Sequence, residues 1–139
     1  MTYVLDACAM IAFLRNEEGA DAIASLLLNE DCIAHAVNLC EVYYDCLLRG
    51  DNESTARELI DDLKSLDLAF REDMDDQFWQ MVASYKAGIR KASLNIPLAD
   101  CFVLSLAERE KAIIVTSDHH EFDLILKRGF CPGTVRFIR

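Results

Sequence analysis

Asp6, Glu41, Asp100 and Asp118 are the carboxylates whose placement in this chain could support joint chemistry. Asp6 closes a short β-prone run, Thr2 to Leu5, and Asp118 follows the apolar, β-branched run Ala112 to Thr116. If both runs are parallel strands, both acids stand at the carboxyl edge of a sheet, where open α/β sheets bind their ligands. Glu41 and Asp100 fall within helical patterns. Glu41 shares a stripe with Val37, Tyr44 and Leu48, and Asp100 shares one with Val103, Leu104 and Ala107. A carboxylate on a core-facing stripe must be paired, neutralised or bound to metal, because burying a bare charge is costly. No Lys or Arg lies close in sequence to any of these acids.

Oxygen donors without His or Cys favour Mg²⁺ or Mn²⁺ over zinc. Mg²⁺ takes only one or two carboxylates and keeps positions for water and phosphate oxygens. Such a set could serve two ions about 3.5–4 Å apart, the arrangement used for phosphodiester hydrolysis. One ion would then generate hydroxide in line with the phosphate while the other stabilises the departing oxygen. Taken singly, each acid reads equally as a helix cap, a surface charge or an ion-pair partner, and Asp100 could simply complement a helix dipole. Their joint placement is what points to a site.

These acids need elements to carry them, and the chain supplies strands alternating with helices. After Asp6 the run Ala-Cys-Ala-Met-Ile-Ala-Phe-Leu continues as a helix, and Asn16 is placed to cap the next one through Ala20, Ile23, Ala24 and Leu27. Asp31 to Ala34 reads as a second strand. A helix follows over Ala36 to Arg49, stopped by Gly50. Another starts at Asp51 or Ser54 and presents Ala56, Leu59, Ile60 and Leu63 on one face. Leu66 to Phe70 reads as a third strand, and Phe78, Met81, Val82, Tyr85 and Ile89 repeat at helical spacing. Pro97 sits in the first turn of a helix running to about Glu110. Ala112 to Thr116 is apolar on both faces, as a buried parallel strand is, and Val135 to Ile138 supplies the last strand. The expected class is α/β with a mostly parallel sheet, in one domain spanning residues 1–139.

Composition limits the alternatives. With 139 residues and 53% hydrophobic side chains, the chain can build a single covered sheet. No apolar run reaches the roughly 20 residues that span a bilayer, and the amino-terminal residues meet an acid without a basic leader, so a cytoplasmic protein is expected. Cys8, Cys32, Cys40, Cys46, Cys101 and Cys131 are scattered, with no Cys-x-x-Cys spacing for zinc, and read as mostly buried thiols. Asp and Glu total 24 against 14 Lys and Arg, a net charge of −10, where a nucleic-acid binder usually shows a basic footprint. A carboxylate cluster loaded with divalent metal reverses its own local sign, so global charge is a weak veto.

Val-Leu-Asp6-Ala-Cys-Ala-Met-Ile-Ala, Val-Asn38-Leu-Cys-Glu41-Val, Pro97-Leu-Ala-Asp100-Cys-Phe-Val-Leu-Ser-Leu-Ala and Val-Thr116-Ser117-Asp118 resemble, in order, the acidic motifs of PIN-domain proteins. They are most similar to the VapC-type toxins of bacterial toxin–antitoxin pairs. The resemblance spans nearly the whole chain. It implies a three-layer α/β/α fold around a five-stranded, mostly parallel sheet, an Mg²⁺- or Mn²⁺-dependent endoribonuclease acting on RNA, a homodimer, and a VapB-like antitoxin whose tail fills the active-site groove. By the same resemblance Asp6 and Asp100 would be principal metal ligands, with Glu41 and Asp118 completing the pocket directly or through water.

The neighbouring residues have secondary expectations. Asn38 could hydrogen-bond a ligand carboxylate or cap its helix, and Thr116 and Ser117 could orient Asp118 or simply end the strand. His119 and His120 could contact phosphate or transfer protons near neutral pH, or be solvated on a loop. Glu121 is a substitute ligand for Asp118. Lys86, Arg90 and Lys91 form the tight basic group, able to meet RNA phosphates or to face solvent. Family members often have Ser or Thr where this chain has Cys8, which puts a hydroxyl contact there in doubt. The same Cys8 argues against an aspartyl-nucleophile phosphatase, which needs a second Asp at that position. The serious rival is a non-catalytic PIN-like module that binds a partner without cutting RNA.

Overall fold

A computed structural model describes residues 1–139. Five strands, β1 (Thr2–Leu5), β2 (Asp31–His35), β3 (Leu68–Arg71), β4 (Ile113–Thr116) and β5 (Val135–Phe137), form one sheet in the order β3-β2-β1-β4-β5. Every neighbouring pair is parallel, so the expected mostly parallel sheet is wholly so. Seven helices connect and cover it: α1 (Ala7–Leu14), α2 (Ala20–Asn29), α3 (Ala36–Leu48), α4 (Glu53–Lys64), α5 (Asp76–Lys91), α6 (Leu98–Glu110) and α7 (His119–Lys127).

Period-two alternation along the central strands feeds a core on each side. Val4, Ile33 and Ile114 point into a cluster of 16 buried residues with α5, α6 and α7. Their neighbours Leu5, Cys32, Ala34 and Val115 point into a cluster of 13 with α1, α2, α3 and α4. The three layers thus follow from strands that are apolar on both faces. Helix α6 is enclosed most fully, since Asp100 through Ala107 are all buried.

Several local expectations are corrected. Asn16 does not cap α2. Its φ of 52° places it in the left-handed turn after α1, and Gly19 precedes α2 without a side-chain cap bond. Gly19 has φ +98°, and a Cβ there would come within 2.8 Å of the Ile138 carbonyl oxygen, so this turn needs glycine on both conformational and steric grounds. Asn52, between the two expected starts, caps α4 through the Thr55 N–H at 2.8 Å. Pro97 stands just ahead of α6 rather than inside its first turn. His119 and His120 are the first residues of α7, not part of a loop.

Candidate metal-binding active site

The strand order changes direction between β1 and β4, and the crevice at their carboxyl ends is where a doubly wound sheet opens. Each of three strands runs straight into a helix there, and the residue at each junction is a polar cap. Asp6 caps α1, with Oδ1 accepting from the Ala9 N–H at 2.8 Å. His35 caps α3, with Nδ1 accepting from the Val37 N–H at 3.1 Å, while Nε2–H donates to the Asp73 carbonyl at 2.9 Å. Asp118 caps α7, accepting from the Glu121 N–H at 3.1 Å. Two of the four sequence-selected acids are therefore helix caps as well as members of a cluster, and the partial positive charge of the helix N-termini favours them there.

Thr116 ties the two junctions together. Its hydroxyl donates a short hydrogen bond to Asp6 Oδ2, and its oxygen accepts from the Asp118 N–H at 2.9 Å. One buried side chain at the end of β4 thus fixes both acids. Ser117 is half-buried, and its hydroxyl forms no hydrogen bond.

The other two acids arrive on helices from opposite faces of the sheet. Asp100 lies in the first turn of α6 and is only 8% exposed. Its Oδ2 is buried with no hydrogen-bond partner. Ligand oxygens of Asp100, Asp118 and Glu121 all lie within 4.8 Å of one another. Glu121, expected from the sequence only as a substitute for Asp118, stands beside Asp118 in this tight group. Glu41 is half-buried beside the group, with Oε1 accepting from Asn38 Nδ2 at 3.0 Å. Asn38, fully buried, also donates to the Ala99 carbonyl at 3.2 Å, which ties the Glu41 helix to the residue preceding Asp100. The stripe expected for Glu41 is not core-facing: Tyr44 and Leu48 are exposed, and α3 buries Asn38, Val42 and Cys46 instead.

Electrostatics match this crowding. None of the four acids forms an ion pair with Lys or Arg, although Arg15, Arg71 and Arg109 are all held by other carboxylates. Burial pushes the Asp6 carboxyl up to about 7, against the lowering by its hydrogen bonds, and the charges of Asp118 and Glu41 raise it further. Burial also lifts Asp100 far above the usual carboxylate range, helped by the nearby carboxylate of Glu121 and the charges of Asp6 and Glu41. Glu41 is raised by burial as well. Cys8, within reach of the same negative field, has its thiol pushed well above the ordinary range, mostly by burial, so it is held as a neutral thiol.

His119 is otherwise engaged. Its ring stacks on Phe137 at 4.0 Å, Nδ1 meets Asp123 Oδ2 at 3.1 Å and Nε2 meets the Arg139 carbonyl at 2.6 Å. Nε2 and the ring stack therefore fasten the carboxyl-terminal segment to α7, while Nδ1 is held within the helix by Asp123. His120 is exposed with no such contacts.

The residues present suit a hard divalent cation on two grounds. The donors are carboxylate oxygens alone. A carboxyl buried with one oxygen unpartnered, in a pocket with no cationic side chain, is costly to ionise unless something positive meets it.

Comparison with known proteins agrees with this geometry. A family model described as "PIN domain" matches residues 3–125. No curated protein matches. Among solved structures, VapBC2 from Rickettsia felis bound to a DNA fragment from their promoter aligns with a TM-score of 0.77 at 18% identity, covering 99% of this chain and 98% of that chain. VapBC-1 from nontypeable Haemophilus influenzae gives 0.73 at 17% identity, covering 99% and 98%. DNA-bound VapBC from Salmonella typhimurium gives 0.76 at 13% identity, covering 100% and 99%. At these identities the likeness is one of fold.

Proposed function

This chain belongs to the PIN-domain family, and from that premise we propose that it is a metal-dependent endoribonuclease that hydrolyses RNA phosphodiester bonds as the toxin of a toxin–antitoxin pair. The observation that carries the reading is that Asp100, whose Oδ2 is buried and unpartnered, offers a carboxylate oxygen within 4.8 Å of oxygens of Asp118 and Glu121. Asp6 and Asp100 would be the principal ligands of Mg²⁺ or Mn²⁺, with Asp118, Glu41 and the adjacent Glu121 completing the acidic pocket directly or through water. When bound there, the ion supplies Lewis-acid polarisation of a phosphodiester and lowers the pKa of an attacking water.

The chain's own residues supply the positioning. Thr116 and the Ala9 N–H together hold both oxygens of Asp6, so this carboxylate cannot rotate away from the crevice. Asn38 holds Glu41 against the start of α6. The cap bond at Asp118 engages Oδ1, leaving the other carboxylate oxygen for the pocket. Fixed acids of this kind hold an ion and its water at one place relative to the phosphate, which is how pre-organised sites lower a barrier.

A VapB-like partner and a homodimer belong to the same proposal. The support for the partner is that neighbours in fold are VapBC complexes. Tyr44, Leu47 and Leu48 on α3 are exposed apolar residues available to an assembly.

Purified protein incubated with mixed RNA and Mn²⁺ tests the reading. Cleavage by the native protein is expected, with chelator, Asp6→Asn and Asp100→Asn each abolishing it. Metal-dependent cleavage that survives both substitutions would sink the site assignment. Folded protein that cuts no RNA, but pulls down a small basic partner, would favour the non-catalytic module.

A further inference from the structure

The chain's net acidity lies entirely in its first part. Residues 1–75 contain 17 acidic and 5 basic side chains, whereas residues 76–139 contain 7 acidic and 9 basic ones. Many of the basic side chains of both parts are already paired. Arg15, Arg49, Arg57, Arg71, Arg109 and Arg139 are held by carboxylates. Arg90, Lys91, Lys127 and Arg128 are exposed and join no ion pair.

Those four residues come from two helix ends that the fold brings together. Arg90 and Lys91 end α5, and Lys127 ends α7 with Arg128 as its cap. Arg128 Nη2 donates to the carbonyl of Ala92, the α5 cap residue, at 3.2 Å, so the two ends touch. Lys86, grouped with Arg90 and Lys91 by sequence, is spent differently: its Nζ donates to the Ile96 carbonyl and to Asn95, clamping the loop that leads into α6 and Asp100.

The same α7 that ends in this basic cluster begins at Asp118. Ten residues of helix at about 1.5 Å each separate them by about 15 Å. A stacked nucleic-acid strand advances about 3.4 Å per nucleotide, so about four nucleotides cover that distance. We propose that Arg90, Lys91, Lys127 and Arg128 form the backbone-docking track for the RNA strand, receiving phosphates about four nucleotides from the bond cut at the acid pocket. This inference rests on the nuclease reading and adds where the polymer lies. It also reconciles a chain of charge −10 with a polyanionic substrate, because the excess of acidic side chains lies in the other part of the chain.

The test compares Asp100→Asn protein with the same protein carrying Arg90→Gln, Lys91→Gln and Lys127→Gln, which spares Arg128 and its contact with α5. Binding of a labelled single-stranded 12-nucleotide RNA is followed by anisotropy across a salt series in millimolar Mg²⁺. Removing three phosphate contacts should lower the slope of log K against log salt by about 2, at roughly 0.7 per contact on single strands. The affinity at low salt should fall at least tenfold. An unchanged slope and affinity would overturn the track, as would polyglutamate competing as well as RNA of equal charge. Metal-dependent hydrolysis of bis(p-nitrophenyl) phosphate by the otherwise native protein, with and without the three substitutions, keeps the two readings apart. Equal hydrolysis with impaired RNA binding supports the track. Equal hydrolysis with unimpaired RNA binding rejects the track and leaves the nuclease standing. Absence of hydrolysis in both proteins counts against the nuclease reading and the track together.

Discussion

At the scale of single residues, the site rests on hydroxyl and amide groups that hold acids in place. Thr116 bridges Asp6 and the Asp118 backbone. Thr116→Val keeps shape but removes the hydroxyl, leaving a buried carboxylate oxygen unsatisfied at a cost of about 1–3 kcal/mol. RNA cleavage should drop at least tenfold, and Thr116→Ser should restore most of it. A cleavage rate unchanged by Thr116→Val would remove the bridge from the account. Asp6 provides a pH test in chelator. Its folded-state value of about 7 exceeds the ordinary 3.8. The folded chain therefore holds more protons than the unfolded chain between those values, and stability falls as pH rises through that window. Asp6→Asn should consequently melt higher than the native protein at pH 8, by up to a few kcal/mol, with the difference closing near pH 4. Denaturant melts at the two pH values check this.

The edge positions of Asp6 and Asp118 were legible because Asp6 follows β1 at once and Asp118 follows β4 after one residue, where the carboxyl-edge rule applies. Glu121 was harder to see, because its membership depends on α7 starting at Asp118 and turning residue 121 back beside its cap. The pair His119-His120 looked like loop chemistry, whereas His119 is a fastener whose ring stacks on Phe137.

At the scale of elements, the junctions do most of the positioning. Strands β1, β2 and β4 each pass directly into a capped helix, so small shifts in α1, α6 or α7 move the acids. Helix α6 is enclosed on all sides, and Leu104 within it is fully buried. Leu104→Ala should cost about 2–5 kcal/mol in a urea melt. A change below 1 kcal/mol would mean the helix is less confined than described. The tight turn at Gly19 is a second checkpoint: Gly19→Ala meets both a left-handed φ and the Ile138 carbonyl, and should destabilise by more than about 1 kcal/mol. Strand and helix identities were readable from apolar period, since both faces of β1 and β4 are buried. The facing of α3 was not, because its buried stripe is Asn38, Val42 and Cys46 while Tyr44 and Leu48 lie outside. A polar core residue and exposed apolar ones invert the usual pattern, and tertiary partners decide such cases.

At the scale of the whole molecule, two charge populations share one fold. Carboxylates converge without cations at the sheet's carboxyl edge, and four unpaired cations gather where α5 and α7 end. Neither arrangement is visible in net charge, which reports only the sum. Both become intelligible once a divalent ion neutralises the acids and an RNA backbone meets the bases. The most direct test of the central claim is calorimetric melting of chelator-treated protein, with Mn²⁺ added back, beside the Asp100→Asn variant. An ion that binds only the folded chain stabilises it by about 2.7 kcal/mol at a hundred times its dissociation constant, which for a domain of this size is a rise of roughly 8–10 °C. The account predicts that rise in the native protein and its loss in Asp100→Asn. An equal rise in both proteins, or none in the native protein at millimolar Mn²⁺, would contradict it.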